Sequence, residues 1–166
     1  MRPRSRSWRF RVPRLDAPGE PVGFIIDPSG AIDTVADDEA IRQSLLMLIS
    51  TRPGERVMRP EYGCDLHRLV FSPNDDTTAG LAIHFVRQAV ERWEPRVEIL
   101  RVDANRATAI VRGDASHGAD DDRGDAQDDD RDVATHLAIL LEYRVRATLQ
   151  VDSIEVEVDL QEGVAQ

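Results

Sequence analysis

The chain has 166 residues, 41% of them hydrophobic and 31% charged, and its formal net charge is −10. This length and composition favour a single globular domain with its own core. Because no apolar run approaches the roughly 20 residues of a membrane-spanning helix, and no apolar segment follows the basic N-terminus, we expect no secretory signal and no direct membrane insertion.

The charge is unevenly distributed. Residues 1–15 hold six Arg and no acid, whereas residues 114–132 hold nine Asp and two Arg. We interpret residues 1–21 as a basic flexible arm, disordered or extended, and residues 22–166 as one domain with a disordered acidic insertion at 114–132. The arm favours an acidic protein partner over nucleic acid, because the acidic body would repel phosphates; a solvated tail is the alternative.

A β-hairpin follows the arm. Val22–Ile26 and Ala31–Val35 have the apolar content of short strands. Between them, Asp27-Pro-Ser-Gly30 places Asp, Pro and Gly at the first, second and fourth positions that a type I turn favours.

Two amphipathic helices come next. The first is predicted over about Asp38–Ser50, with acidic residues in its first turn. The second begins after Asn74 or Asp75 and ends near Trp93, because Pro95 excludes the helical conformation for the residue before it. Their predicted buried faces, read from the 3.6-residue period, are Ile41, Leu45, Leu48 and Ile49 in the first helix and Leu81, Phe85, Val86, Ala89, Val90 and Trp93 in the second.

The rest of the chain alternates apolar and polar residues as half-buried strands do. The predicted strands are Val97–Asp103, its antiparallel neighbour Thr108–Arg112, His136–Arg146 and Ser153–Leu160. The fold class is therefore α+β: an N-terminal arm and hairpin, two amphipathic helices, and a mostly antiparallel sheet of about four strands.

Two motifs carry a family resemblance. Residues 48–66 read Leu-Ile-Ser-Thr-Arg-Pro-Gly-Glu-Arg-Val-Met-Arg-Pro-Glu-Tyr-Gly-Cys-Asp-Leu, and Trp-Glu-Pro-Arg occupies residues 93–96. Together with Leu-Val-Phe at 69–71, they resemble the short baseplate wedge family of contractile phage tails. Relatives of that family occur in type VI secretion systems and in extracellular contractile injection particles. The clear likeness covers about residues 25–103.

The resemblance implies a docking corner at Glu94, Pro95 and Arg96. Pro95 fixes the backbone, and Arg96 offers a planar guanidinium to a helical bundle made by the larger wedge subunits. Arg56 is a further candidate for the same face. The alternative is an internal Glu94–Arg96 ion pair that only holds the helix–strand corner together, although an exposed pair would contribute only about 0–1 kcal/mol.

The last strand is a second candidate surface. The resemblance implies that it pairs with strands of the first ring of sheath subunits, by β-augmentation. An ordinary edge strand, protected by its acidic residues, is the alternative. The residues of this edge are Ile154, Val156, Val158 and Leu160 on one side and Glu155, Glu157 and Asp159 on the other.

The resemblance thus implies a structural protein that assembles in the cytoplasm into a baseplate and initiates the sheath. Its partners would be the larger wedge subunits and the first-ring sheath subunits, with tube or spike hub proteins as further candidates. Several copies would surround the tube axis, and no nucleic acid is expected. A soluble regulatory module on the same fold, similar to an anti-adaptor, is the alternative.

Nothing in the sequence favours a catalytic residue, a metal or a cofactor. The acidic segment departs from the EF-hand pattern, because Gly124 and Arg131 occupy two ligand positions. The single cysteine, Cys64, excludes an internal disulfide, and we expect it to be buried. Glu61 and Glu94 could supply the acid and nucleophile of a glycoside hydrolase, a less favoured function because few aromatic residues are present to stack on sugars.

Overall fold

The computed structural model describes residues 5–11, 23–107, 136–161 and 163–164. Two helices and antiparallel sheets make the fold α+β, as the sequence predicted. The predicted acidic insertion at 114–132 lies outside the described residues. In chain order the elements are β1 (Arg6–Trp8), β2 (Phe10–Arg11), β3 (Gly23–Phe24), β4 (Thr34–Ala36), α1 (Asp37–Ser50), a 3-10 helix (Asp65–Leu69), α2 (Asp76–Trp93), β5 (Val97–Ala107), β6 (His136–Val145), β7 (Val151–Asp159) and β8 (Gly163–Val164).

Strands β5 to β8 form one antiparallel sheet in that order, with β6 paired to β5 on one side and β7 on the other. A register shift between Ile99 and Arg101 marks a β-bulge in β5. The predicted neighbour of β5, Thr108–Arg112, lies outside the described residues. In the structure β5 pairs with β6, which follows it in the chain after the segment 108–135. The pairing joins residues far apart in the sequence, so a local pattern did not predict it.

The core lies between this sheet and the two helices. Burial alternates strictly along β6, because successive side chains of a strand point to opposite faces. The inward face of the sheet packs against α1 and α2 and includes Val97, Leu137, Ile139, Leu141, Tyr143, Val145, Ile154 and Val158.

The helices follow the predicted periodicity closely. α1 buries the predicted stripe of four apolar residues together with Ala40. The carboxylate of Asp75 caps α2 by accepting a hydrogen bond from Thr78 N at 2.8 Å. The prediction that Leu81 is buried is wrong: Leu81 is exposed, and Ala82 occupies the core position beside it. Among the described residues, none of the helices is long and apolar enough to span a membrane.

The connection from α1 to the 3-10 helix folds back on itself. Gly54 N donates to Pro60 O at 2.7 Å, and Cys64 N donates to Thr51 O at 2.9 Å. Gly63 has a φ of +136°, and a Cβ at this position would lie 2.4 Å from Thr51 O. Only glycine fits there, because both the backbone conformation and the space exclude a side chain.

Within the arm predicted over residues 1–21, the described residues 5–11 form the two short strands β1 and β2. β1 pairs with β4, and β2 pairs with β3. The predicted hairpin is shorter than expected: Ile26 and Ile32 form a bridge around the turn, and Gly30 N closes it by donating to Asp27 O at 3.0 Å. β1 and β2 therefore form the backbone hydrogen bonds with β4 and β3 that these two strands would make with each other in a longer hairpin.

Candidate docking surfaces

The first surface begins where α2 ends, as the Trp-Glu-Pro-Arg motif predicted. Glu94 N donates to Val90 O at 2.9 Å and closes the last helical turn. Pro95 is exposed in the turn that follows, and β5 starts at Val97. The sheet then holds the corner, because Arg146 N donates to Arg96 O at 2.9 Å.

The corner contains an ion pair that is buried at one end. The Glu94 side chain is 6% exposed, and its two oxygens accept bonds from Arg96 Nε and Nη2, each at 2.5 Å. These bonds raise the pKa of the Arg96 guanidinium. Arg96 Nη2 also lies 3.2 Å from Ser44 Oγ on α1. The structure thus contains the internal Glu94–Arg96 ion pair that the sequence offered as the alternative to docking. The pair is buried at Glu94, and a carboxylate held at two points makes the corner rigid.

Arg56 lies in an aromatic cluster next to this corner. Its guanidinium carbon is 4.2 Å from the centroid of the Tyr62 ring, and the centroids of Tyr62 and Trp93 are 5.4 Å apart. Burial raises the pKa of Tyr62, and the charge of Arg56 opposes this rise; Glu94 and Arg96 also act on this hydroxyl through their charges. The structure therefore brings Arg56 and the corner together around Tyr62.

A loop tip beside this cluster was not singled out from the sequence. Val57 and Met58 are 91% and 94% exposed, and Met58 has a φ of +66°. The sequence signal for this loop tip is the pair of adjacent apolar residues within a Pro- and Arg-rich loop. Neighbouring apolar side chains that are exposed together can mark a site of protein contact. We call Arg56, Val57, Met58, Tyr62 and the Glu94–Arg96 corner the corner surface.

The second surface is the edge of β7. The predicted alternation is correct: Ile154, Val158 and Leu160 are buried, whereas Glu155 and Glu157 are exposed.

β7 is not the last strand, however. β8 pairs with Val158 and Asp159, so this end of the predicted edge already has a partner within the chain. Among the described residues, the part of β7 that is paired on one side only runs from Val151 to Glu157.

Helix α1 connects the two surfaces. Arg42 Nη1 donates to Asp152 Oδ2 at 3.0 Å and to Ser153 O at 2.5 Å, at the start of β7. Two residues further along, Ser44 contacts Arg96. The buried Tyr143 hydroxyl donates to the same Asp152 oxygen at 2.9 Å, and burial raises the pKa of Tyr143.

The carboxylates considered for glycoside hydrolysis are both paired with arginine. Glu94 is held by Arg96, and Glu61 forms an exposed ion pair with Arg92. A general acid or nucleophile needs an oxygen that can reach the substrate. Arg96 occupies both oxygens of the buried Glu94, whereas Arg92 occupies one oxygen of Glu61. Within the described part of the chain, no group of three or more His, Cys, Asp or Glu is placed to hold a metal ion.

Residues 35–119 match the family described as baseplate wedge protein gp25. The chain belongs to this family, as the motifs at residues 48–66 and 93–96 indicated.

Three known proteins illustrate the relationship. Baseplate wedge protein gp25 of Enterobacteria phage T4 is 39% identical over 64 residues, which cover 39% of this chain and 48% of that protein, so the match spans about half of its length. A solved structure provisionally described as a tail lysozyme from Geobacter sulfurreducens is 33% identical, with a TM-score of 0.59, over 77% of this chain and 95% of that one. A chain of the anti-feeding prophage baseplate, 24% identical with a TM-score of 0.52 over 64% of this chain and 75% of that one, supports the fold alone.

Proposed function

We propose that this chain is a non-enzymatic component of the baseplate wedge in a contractile injection machine. It docks on the larger wedge subunits through the corner surface and offers the edge of β7 to the first ring of sheath subunits. Several copies around the tube axis would add their weak contacts into a strong attachment. The family membership supports the wedge role, and the exposed Val57 and Met58 beside Arg56 and the corner support the docking part.

The corner surface has the composition of a protein–protein contact. Arg, Tyr and Met are enriched in such contacts, and all three residue types occur here around one rigid turn. Because the Glu94–Arg96 pair and the sheet already fix the backbone, docking orders little additional chain, which favours binding. A partner with an apolar groove for Val57 and Met58 and an acidic group for Arg56 would match it.

A double substitution tests this docking without touching the ion pair. Arg56→Ala with Met58→Ser removes a cation and an exposed apolar side chain, neither of which lies in the core. We expect the melting temperature to fall by only about 1–4 °C, because the Arg56–Tyr62 contact is lost. We also expect about a tenfold or greater loss of the chain from purified particles, measured by quantitative mass spectrometry. The control replaces the exposed Arg87 and Gln88 of α2 with Ala. Normal incorporation of the Arg56/Met58 variant would contradict the docking role.

Templating of the sheath by β7 rests on main-chain hydrogen bonds. In a strand, the N–H groups of neighbouring residues point to opposite edges. Of the two variants Glu155→Pro and Val156→Pro, one therefore removes a bond to β6 and the other removes an outward N–H. We expect the outward variant to fold and enter baseplates but to give particles without sheath. If that variant assembles full-length sheaths, β7 is not the template.

The enzyme alternative is tied to the Geobacter sulfurreducens relative, which is described as a tail lysozyme. We infer that the present chain does not cleave glycosidic bonds, because Glu94 is buried and Arg96 holds both of its oxygens, which leaves Glu61 without the second carboxylate that the reaction needs. A soluble regulatory module would instead form a one-to-one complex in gel filtration and would be missing from purified particles.

A further inference from the structure

The N-terminal β unit exposes an aromatic face that neither docking surface uses. Trp8, Phe24, Ile26 and Ile32 are each between 43% and 67% exposed. Phe24 contacts Trp8 and Phe10 edge to face, with ring centroids 5.7 and 5.6 Å apart. Ile26 lies two residues beyond Phe24 on the same side of the strand and pairs across the turn with Ile32. We call these five residues the aromatic face.

This face is held in place by α1. The side-chain amide of Gln43 accepts a hydrogen bond from Phe10 N and donates one to Trp8 O, both at 2.8 Å. Arg9 pairs with Asp33 at 2.7 Å and with Glu39 at 2.5 Å. A contiguous apolar surface that is fixed in this way and left in water is typical of a binding site.

One arginine lies beside the aromatic face. Arg6 lies two residues from Trp8 on the same side of β1, and its guanidinium donates to Thr34 Oγ1 at 3.1 and 2.9 Å. Among the described residues, no carboxylate pairs with Arg6. A shallow depression lined by Arg6, Ser7, Trp8 and Thr34 lies next to the face. The first 15 residues hold six Arg and no acid.

We propose that the aromatic face binds an acidic, partly apolar segment of a neighbouring protein subunit in the particle. Apolar side chains of that segment cover Trp8, Phe24 and Ile26, and its carboxylates lie toward Arg6. A nucleic acid fits less well, because a run of phosphates is bound by several cations, whereas the neighbouring Arg9 is already paired with Asp33 and Glu39. This inference rests on the proposed function only in placing the chain within a particle.

The test is photo-crosslinking in the assembled particle. p-Benzoylphenylalanine replaces Ile26 on the aromatic face or, as a control, the exposed Gln88 on α2. We expect the probe at position 26 to link to one segment rich in Asp or Glu and apolar residues, identified by mass spectrometry, and the probe at position 88 to leave that segment unlinked. A link to nucleic acid or to a second copy of this chain would overturn the proposal.

A synthetic peptide of the linked segment then tests the chemistry. We expect its affinity for the purified chain to fall about tenfold or more when its acidic residues are changed to Asn and Gln, and again for the Ile26→Asp variant, whereas Ile26→Leu binds normally. Equal affinity of the neutral peptide would overturn the proposal. If the chain is present in particles at full occupancy but the probe at position 26 forms no crosslink, this inference alone is overturned. If the chain is missing from particles, the proposed function is overturned as well.

Discussion

Glu94 lies at the end of α2 with its carboxylate buried, and the Arg96 guanidinium compensates the negative charge. Removing one member of a buried pair leaves an uncompensated charge. The exposed Glu61–Arg92 pair close by provides a natural comparison, because water already solvates both of its members.

Arg96→Ala is therefore expected to destabilise the fold by about 2–3 kcal/mol, less than a fully enclosed pair because Arg96 is 42% exposed. Arg92→Ala should cost about 0–1 kcal/mol. Urea unfolding followed by circular dichroism measures both. Equal effects would mean that the corner is not held by the pair. Substitutions at Glu94 or Arg96 thus confound docking with folding, which is why Arg56 and Met58 provide the cleaner test.

Gly63 supports a second prediction at this scale. Gly63→Ala should destabilise the fold by about 2 kcal/mol or more. The alanine Cβ would clash with the Thr51 carbonyl oxygen, and the positive φ of this residue is unfavourable for alanine. Gly80 in α2 has open space around it, so Gly80→Ala should stabilise by about 0.5–1 kcal/mol. Thermal unfolding of both variants compares the signs; a neutral Gly63→Ala would refute the close approach.

The buried thiol of Cys64 should make the stability of the fold depend on pH. Burial raises the pKa of its thiol from 9.0 to about 11. The unfolded chain therefore loses this proton first, and the free energy of unfolding should fall as the pH rises from about 9 to about 11. Iodoacetamide at pH 8 should label the thiol only when urea unfolds the chain. Cys64→Ala should reduce the stability slope most between pH 9 and 10, below the range in which Tyr62 and Tyr143, whose pKa values burial also raises, add to it. An unchanged slope in that range would exclude the thiol as its cause.

At the scale of elements, local patterns predicted both helices to within a residue at their ends, because apolar periodicity, the Asp75 cap and Pro95 are all local signals. Apolar periodicity does not fix which of two adjacent apolar residues is buried: Leu81 is exposed, and the smaller Ala82 lies in the core. Strand partners were harder to predict: β6 and β5 are separated by the segment 108–135, and no local signal encodes that register. The Glu94–Arg96–Ser44 contact was likewise out of reach, because it depends on how α1 packs.

Truncation distinguishes the roles of β7 and β8. Deleting residues 153–166 removes most of a strand whose Ile154 and Val158 lie in the core, and we expect an unfolded product. Deleting residues 162–166 removes only β8 and should leave a cooperative thermal transition, because the described side chains of the core all remain. A folded 1–152 fragment would show that β7 is dispensable for the core.

For the whole molecule, the proposed role requires binding without chemistry. The purified chain should release no soluble fragments from peptidoglycan over hours, under conditions in which hen egg-white lysozyme clears the same suspension. Release of reducing sugars at a rate well above the buffer control, lost in Glu61→Gln, would contradict the non-enzymatic role.

The position of α1 between the two surfaces has a mechanical consequence. Arg42 holds the start of β7, and Ser44, two residues later, holds the Arg96 side chain. If sheath and wedge bind as proposed, tension from a contracting sheath crosses the protein by two short routes: the hydrogen-bonded ladder from β7 through β6 to β5, and about half a turn of α1. Two short routes in parallel stretch very little, and the protein would transmit movement as a stiff joint, with almost none of the compliance of a spring.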